Sequence, residues 1–79
     1  MQKEEVLEKV INIIVEVLGT DKKLLNENTN LLTDIDVDSL DLVDLVVAFE
    51  KEYNFEIPDK DIKNLQTIND IVNYILNHA

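Results

Sequence analysis

One side chain with reactive potential, the hydroxyl of Ser39, stands where an acidic, irregular segment gives way to a helical pattern. A serine at a helix start is most often a cap, whose oxygen accepts a hydrogen bond from a backbone N–H of the first turn. The preceding Asp38 can serve as that cap instead, which frees the Ser39 hydroxyl to face solvent. A phosphodiester there would lie near the unpaired N–H groups and the positive dipole end of the helix. Asp38-Ser39-Leu40 is therefore a candidate modification site, with simple capping as the alternative.

Serine hydrolysis fits this serine poorly. Ser39 has no Gly-x-Ser-x-Gly turn around it. The only histidine, His78, is penultimate in the chain, where ends generally fray. Because a serine hydroxyl without a general base is a weak nucleophile, we expect no catalytic residues and no enzymatic activity.

Three alternating carboxylates imitate the opening of a calcium-binding loop. They are Asp34, Asp36 and Asp38. The imitation then fails, because Ser39 stands where the loop needs glycine and Leu45 where it needs a bidentate glutamate. The pattern excludes a dedicated calcium loop and predicts at most loose divalent-cation binding by the three aspartates.

The elements that must position Ser39 are helical, since valine, isoleucine and leucine recur at helical rather than alternating spacing. The first helix is predicted over residues 3–18, with Gly19 as its stop. Residues 20–37 form a long loop that paired leucines (Leu24-Leu25 and Leu31-Leu32) attach to the core. The second helix runs from Ser39 to Tyr53 and ends at Asn54.

Two further helices complete the chain. Ile57-Pro58-Asp59 opens a short third helix that contains Ile62 and Leu65, and Thr67-x-x-Asp70 is a capping-box-like start for a last helix. The sequence thus predicts an all-α fold, a small bundle of three main helices and one short helix, with a long loop between the first two. Seventy-nine residues suit one domain, over 1–79.

The second helix carries two apolar rows on nearly opposite sides. The core row is Leu42, Leu45, Val46, Phe49 and Tyr53; the second row is Leu40, Val43 and Val47. Asp41, Asp44 and Glu50 flank the second row, and an exposed aliphatic strip rimmed by carboxylates is typical of a contact surface. The alternative is that the 20–37 loop folds across this row.

The chain is strongly acidic. It has 17 acidic residues, seven lysines, no arginine and a net charge of −10, and ten of the acids lie between Asp34 and Asp61. Such a surface repels nucleic acid and favours basic protein partners. No apolar run approaches the roughly 18 residues of a membrane span, and no signal peptide is visible. The absence of cysteine fits a reducing compartment. We expect a cytoplasmic monomer.

The stretch LTDIDVDSLDLVDLVVAFEKEYNFEI, residues 32–57, resembles the attachment site of acyl carrier proteins. The resemblance continues through Pro58-Asp59 to the end of the chain, and weakly back to residue 3. It implies that Ser39 receives 4'-phosphopantetheine from coenzyme A through a phosphopantetheinyl transferase, with Asp38 and Leu40 assisting recognition. The chain would then deliver thioester-bound acyl groups to fatty-acid-synthesis enzymes and acyltransferases that have basic docking patches, while those enzymes perform the chemistry.

The resemblance also implies the roles of other residues. Partner contacts by position are Asp41, Val43, Asp44, Val47, Glu50 and Ile57. An acyl chain enters between the second and third helices in this family, near Leu42 and Ile62, over a core that includes Leu45 and Val46.

Four residues depart from the usual family pattern. They are Asp36 in place of glycine, Lys51 in place of an acid, Val47 in place of methionine, and Leu42 in place of a smaller or hydroxylated residue. They leave open a specialised discrete carrier, for polyketide, aminoacyl or other thioesters, instead of a fatty-acid carrier. An unmodified acidic helical adaptor is the third alternative.

Overall fold

The computed structural model describes residues 2–79 as an all-α fold, which confirms the predicted bundle. The first helix, α1, spans Lys3–Leu18 and has two glutamates in its first turn, where the helix dipole favours negative charge. It ends at Gly19, whose φ of 69° lies in the left-handed region that glycine enters without a Cβ clash. A single 3₁₀ turn at Lys22–Leu24 follows in the loop.

The second helix, α2, spans Ser39–Tyr53 and ends at Asn54, which takes the left-handed conformation with φ 54°. The short helix α3 spans Asp59–Ile62. Leu65, predicted within it, lies beyond its end and is buried. The last helix, α4, spans Ile68–His78 and begins with the predicted capping box, in which Thr67 and Asp70 satisfy each other's backbone N–H groups.

Helix α1 packs mainly on α4 and next on α2, and the core lies between these three helices. Each contributes one apolar face, and side chains from the connections are buried in the same core. The buried apolar residues are Val6, Val10, Ile11, Ile14, Leu25, Leu31, Val37, Leu45, Val46, Phe49, Ile57, Leu65, Ile68, Ile71, Val72 and Ile75. Of the predicted core row of α2, Leu42 and Tyr53 are only half-buried.

The long loop is attached to the core by fewer leucines than predicted. Leu25 and Leu31 are buried, but Leu24 and Leu32 are 62% and 46% exposed. Backbone hydrogen bonds supply the rest of the attachment. Leu31 N–H donates to the Gln66 carbonyl at 2.8 Å and Ile68 N–H donates to the Thr29 carbonyl at 3.0 Å. The loop is therefore fixed to the start of α4, so the segment that leads into Ser39 is anchored.

Within residues 2–79, no helix is both long enough and apolar enough to cross a membrane.

Candidate functional site: the start of helix α2

Ser39 is the first residue of α2, is exposed, and is the only serine in the chain. The cap is Asp38, as predicted: its Oδ1 accepts a hydrogen bond from Asp41 N–H at 2.8 Å. The Asp38 carbonyl accepts a second bond, from Leu42 N–H at 2.9 Å. Because the capping role is filled by Asp38, the Ser39 hydroxyl is not needed to hold the helix start.

Two backbone N–H groups at this helix start, those of Ser39 and Leu40, donate to no other residue that the structure describes. Together with the positive end of the helix dipole, they favour an anion beside the Ser39 hydroxyl. A phosphodiester carries such an anionic charge, and the exposed hydroxyl leaves room for its substituent. The site therefore fits a phosphate-linked arm on Ser39.

The turn before Ser39 contains the one aspartate with a left-handed backbone. Asp36 has φ 51°, a left-handed conformation that most residues with a Cβ avoid and that aspartate adopts at a higher cost than glycine. The next residue, Val37, is buried, and its N–H donates to the Leu31 carbonyl at 2.9 Å. The turn at Asp36 thus lets the chain bury Val37 and immediately expose the residues at the head of α2.

The three aspartates expected to bind divalent cations loosely, Asp34, Asp36 and Asp38, are not gathered at one point. Asp34 Oδ2 accepts from Asn30 N–H at 2.8 Å, and Asp38 is turned to its own helix. Within the described part of the chain, no three acidic or histidine side chains are placed to share a metal ion. The three aspartates alternate in sequence. The left-handed turn at Asp36 separates the other two, and each of those two accepts a hydrogen bond from a nearby backbone N–H.

The second apolar row of α2 is exposed. Leu40, Val43 and Val47 are 76%, 53% and 41% accessible. The alternative in which the 20–37 loop covers this row is therefore wrong. Asp44 beside it is exposed, while Asp41 and Glu50 are half-buried. The result is an aliphatic strip that begins at Leu40, next to Ser39, and runs along α2 with carboxylates at its edges.

Ile57, expected on the partner face, is instead 5% exposed and belongs to the core. Its N–H donates to Glu50 Oε2 at 2.7 Å, a bond that connects the end of α2 to the segment before α3. The expectation came from the position of Ile57 in the family resemblance, and position along the chain does not tell which way a side chain outside a helix points. Glu50 is held in place by this bond and lines a groove of about 470 Å³ with Val47 and Phe55.

The four residues expected around an acyl chain belong to a packed interior. Leu45 and Val46 are 0% and 5% exposed, and Leu42 and Ile62 are half-buried against the same core. They line neither the groove at Val47 nor a second groove of about 360 Å³ between α1 and α2. A chain enters among them only if side chains or an element move.

An aromatic cluster at the far side of α3 was not anticipated from the sequence. The Tyr74 hydroxyl donates to Asp61 Oδ2 at 2.7 Å. Its ring lies 6.2 Å from that of Phe55 and stacks on His78 at 4.1 Å between centroids. Burial, with the hydrogen bond to Asp61, raises the pKa of Tyr74 to about 12. The sequence did contain a signal for this bond: Tyr74 lies next to the apolar row of α4. A tyrosine at such a position is half-buried, and its hydroxyl then needs a hydrogen-bond partner.

Comparison with known proteins identifies the family. The family model described as "Phosphopantetheine attachment site" matches residues 8–75. The chain is similar to an acyl carrier protein of Lactobacillus acidophilus, with 38% identity over 99% of this chain and 98% of the relative. It is 45% identical to an acyl carrier protein of Thermotoga maritima over 92% of this chain and 90% of the relative. The corresponding protein of Chlamydia caviae is 44% identical over 84% of this chain and 86% of its own length.

Proposed function

The chain belongs to the acyl carrier protein family, and we propose that it carries acyl intermediates of fatty-acid synthesis as thioesters on an arm joined to Ser39. The covalent cofactor of this family is 4'-phosphopantetheine. The observation that carries the assignment to Ser39 is its geometry: an exposed hydroxyl at a helix start that another residue, Asp38, already caps.

Attachment replaces the Ser39 O–H bond with an O–P bond. Ser39 Oγ attacks the phosphorus that bears the pantetheine group, the pyrophosphate bond of coenzyme A breaks, and an adenosine bisphosphate leaves. No described side chain hydrogen-bonds to the Ser39 hydroxyl, so a base on the transferase takes the proton. The free N–H groups of Ser39 and Leu40 would be the donors available to that phosphodiester. When attached, the cofactor supplies a thiol that holds an acyl group as a thioester.

The exposed strip of α2 is the docking face in this proposal. Leu40, Val43 and Val47 offer apolar contacts beside the arm, and Asp44 and Glu50 offer charge to basic patches on the transferase and on fatty-acid-synthesis enzymes. Contacts of this kind steer encounter by charge and keep association fast. We infer that the chain acts as a monomer in the cytoplasm, has no catalytic activity of its own and does not bind nucleic acid.

Acyl transfer tests the proposal. The protein that carries the arm is incubated with an acyltransferase and a malonyl or fatty acyl donor, and the adduct is then treated with neutral hydroxylamine. The expected product is one acyl group per protein, released by hydroxylamine because it is a thioester. Acceptance of aminoacyl or polyketide units with no fatty acyl or malonyl transfer would make the chain a specialised carrier. No acylation of any kind would contradict the carrier function.

A further inference from the structure

Helix α3 is held to the rest of the fold by few interactions. It has four residues, and the backbone bonds around it are local: Asp61 N–H to the Pro58 carbonyl at 2.9 Å, and Leu65 N–H to the Ile62 carbonyl at 3.0 Å. Two buried side chains, Ile57 and Leu65, flank it in sequence. The helix can therefore shift about these two anchors without loss of a backbone hydrogen bond to another helix.

One side-chain bond restrains that shift. Within residues 2–79, the Tyr74–Asp61 hydrogen bond is the sole hydrogen bond or ion pair that joins α3 to another helix. The Tyr74 ring lies between Phe55, on the α2–α3 connection, and His78, at the end of α4. These ring contacts fix the direction of the hydroxyl, which donates to a carboxylate, the stronger class of acceptor.

We propose that the Tyr74–Asp61 hydrogen bond is a latch on α3 that determines how long an acyl chain the protein can shelter beside α2. The inference rests on the proposed function. Leu42 lies one helical turn after Ser39 and packs on the core, as does Ile62 on α3. Because this interior is close-packed, room for a chain requires an element to move. Helix α1 packs on both α4 and α2, whereas one side-chain hydrogen bond joins α3 to another helix.

Hydrogen exchange in the protein without the arm tests the latch itself. Tyr74→Phe keeps the ring and removes the hydroxyl. We expect exchange of the Asp61, Asn64 and Leu65 amides to become roughly tenfold faster, as for loss of one net hydrogen bond. Tyr53→Phe is the matched control, since the Tyr53 hydroxyl bonds to no described residue, and it leaves these amides unchanged. Asp61→Asn keeps an acceptor for Tyr74, but a neutral one, and should fall between wild type and Tyr74→Phe.

Equal exchange in Tyr74→Phe and Tyr53→Phe would overturn the latch. A second result would also overturn it: exchange in Asp61→Asn as fast as in Tyr74→Phe, while the amides of α1 exchange at the wild-type rate. The retained acceptor would then contribute nothing to holding α3.

Chain length gives the second measurement. Thermal unfolding is recorded for acylated wild type, Tyr74→Phe and Tyr53→Phe across a series of increasing acyl length. Stability rises with each sheltered methylene until the capacity is reached. We expect the plateau at a longer chain in Tyr74→Phe than in the other two proteins, and the same plateau in all three would overturn the proposal. If wild type accepts no arm, the proposed function fails, while the exchange comparison still decides the latch.

Discussion

At the scale of single residues, capping, presentation of the hydroxyl and the preceding turn are carried by three different side chains at the start of α2. Asp38 caps the helix, Ser39 presents its hydroxyl, and Asp36 makes the turn that leads to both. The cap was predictable because it depends on neighbouring residue types. The left-handed backbone of Asp36 was not, although the resemblance pointed to it: the family usually has glycine there, the residue that takes this conformation without strain.

Asp36→Gly should raise the free energy of unfolding by up to about 1 kcal/mol, because removal of the Cβ relieves the left-handed strain at φ 51°. Urea unfolding measures the change. Asp36→Asn is the control for charge, since asparagine tolerates this conformation, and Asp36→Ala should be the least stable of the series. An alanine variant as stable as the glycine variant would show that the backbone at this position is not strained.

Tyr74 should make stability fall at high pH. Its pKa is about 12 in the folded chain, against about 10 for an unperturbed tyrosine, so the folded state keeps a proton that the unfolded state loses. Its contribution is complete below about pH 10 and disappears as the pH rises towards 12. Urea unfolding at both ends of this range should show a larger loss for wild type than for Tyr74→Phe, and Tyr53 titrates in both proteins. Equal losses would contradict the assignment.

At the scale of elements, α1, α2 and α4 were predicted closely because each has an apolar row at helical spacing and a local stop or cap. The same spacing found the exposed strip of α2, since one helix in so small a bundle cannot bury two opposite rows. Predictions failed where direction depends on distant contacts. The Ile57 side chain is buried, and Leu24 and Leu32 are exposed. The Tyr74–Asp61 bond, for which no prediction was made, likewise joins two separate elements.

Docking should depend on α2 and not on total charge. Asp44→Lys places a cation beside the exposed strip and should slow transfer from a partner acyltransferase more than Glu8→Lys, which makes the same charge change on α1. The difference should shrink with added salt, because exposed charges are screened beyond about 8–10 Å at ordinary ionic strength. Steady-state transfer rates at low and high salt measure both effects. If the two substitutions slowed transfer equally, the docking role proposed for α2 would be contradicted.

At the scale of the whole molecule, a net charge of −10 on 79 residues affects both the stability of the fold and its association with partners. The described residues contain one ion pair, Lys9 with Glu52 at 3.6 Å, so most carboxylates repel without compensation from a nearby cation. The compact form therefore gains from screening. Composition alone indicated this repulsion, but only the structure separated it from a metal site at Asp34, Asp36 and Asp38.

Added salt should raise the melting temperature, and sodium and magnesium salts at equal ionic strength should act alike, because repulsion is screened without a gathered carboxylate site. Differential scanning fluorimetry across both salts measures this effect. A melting temperature that does not change with salt would contradict self-repulsion as a destabilising effect. A rise that saturates at trace magnesium concentrations would indicate a bound magnesium ion.

The central claim, that Ser39 carries the arm, is tested most directly by intact mass after incubation with a phosphopantetheinyl transferase and coenzyme A. Wild type should gain the mass of one phosphopantetheinyl group and Ser39→Ala should gain none. Circular dichroism should show that Ser39→Ala remains helical, because the Asp38 cap does not use the serine hydroxyl. Full modification of a folded Ser39→Ala, or an unchanged mass for wild type, would contradict the account.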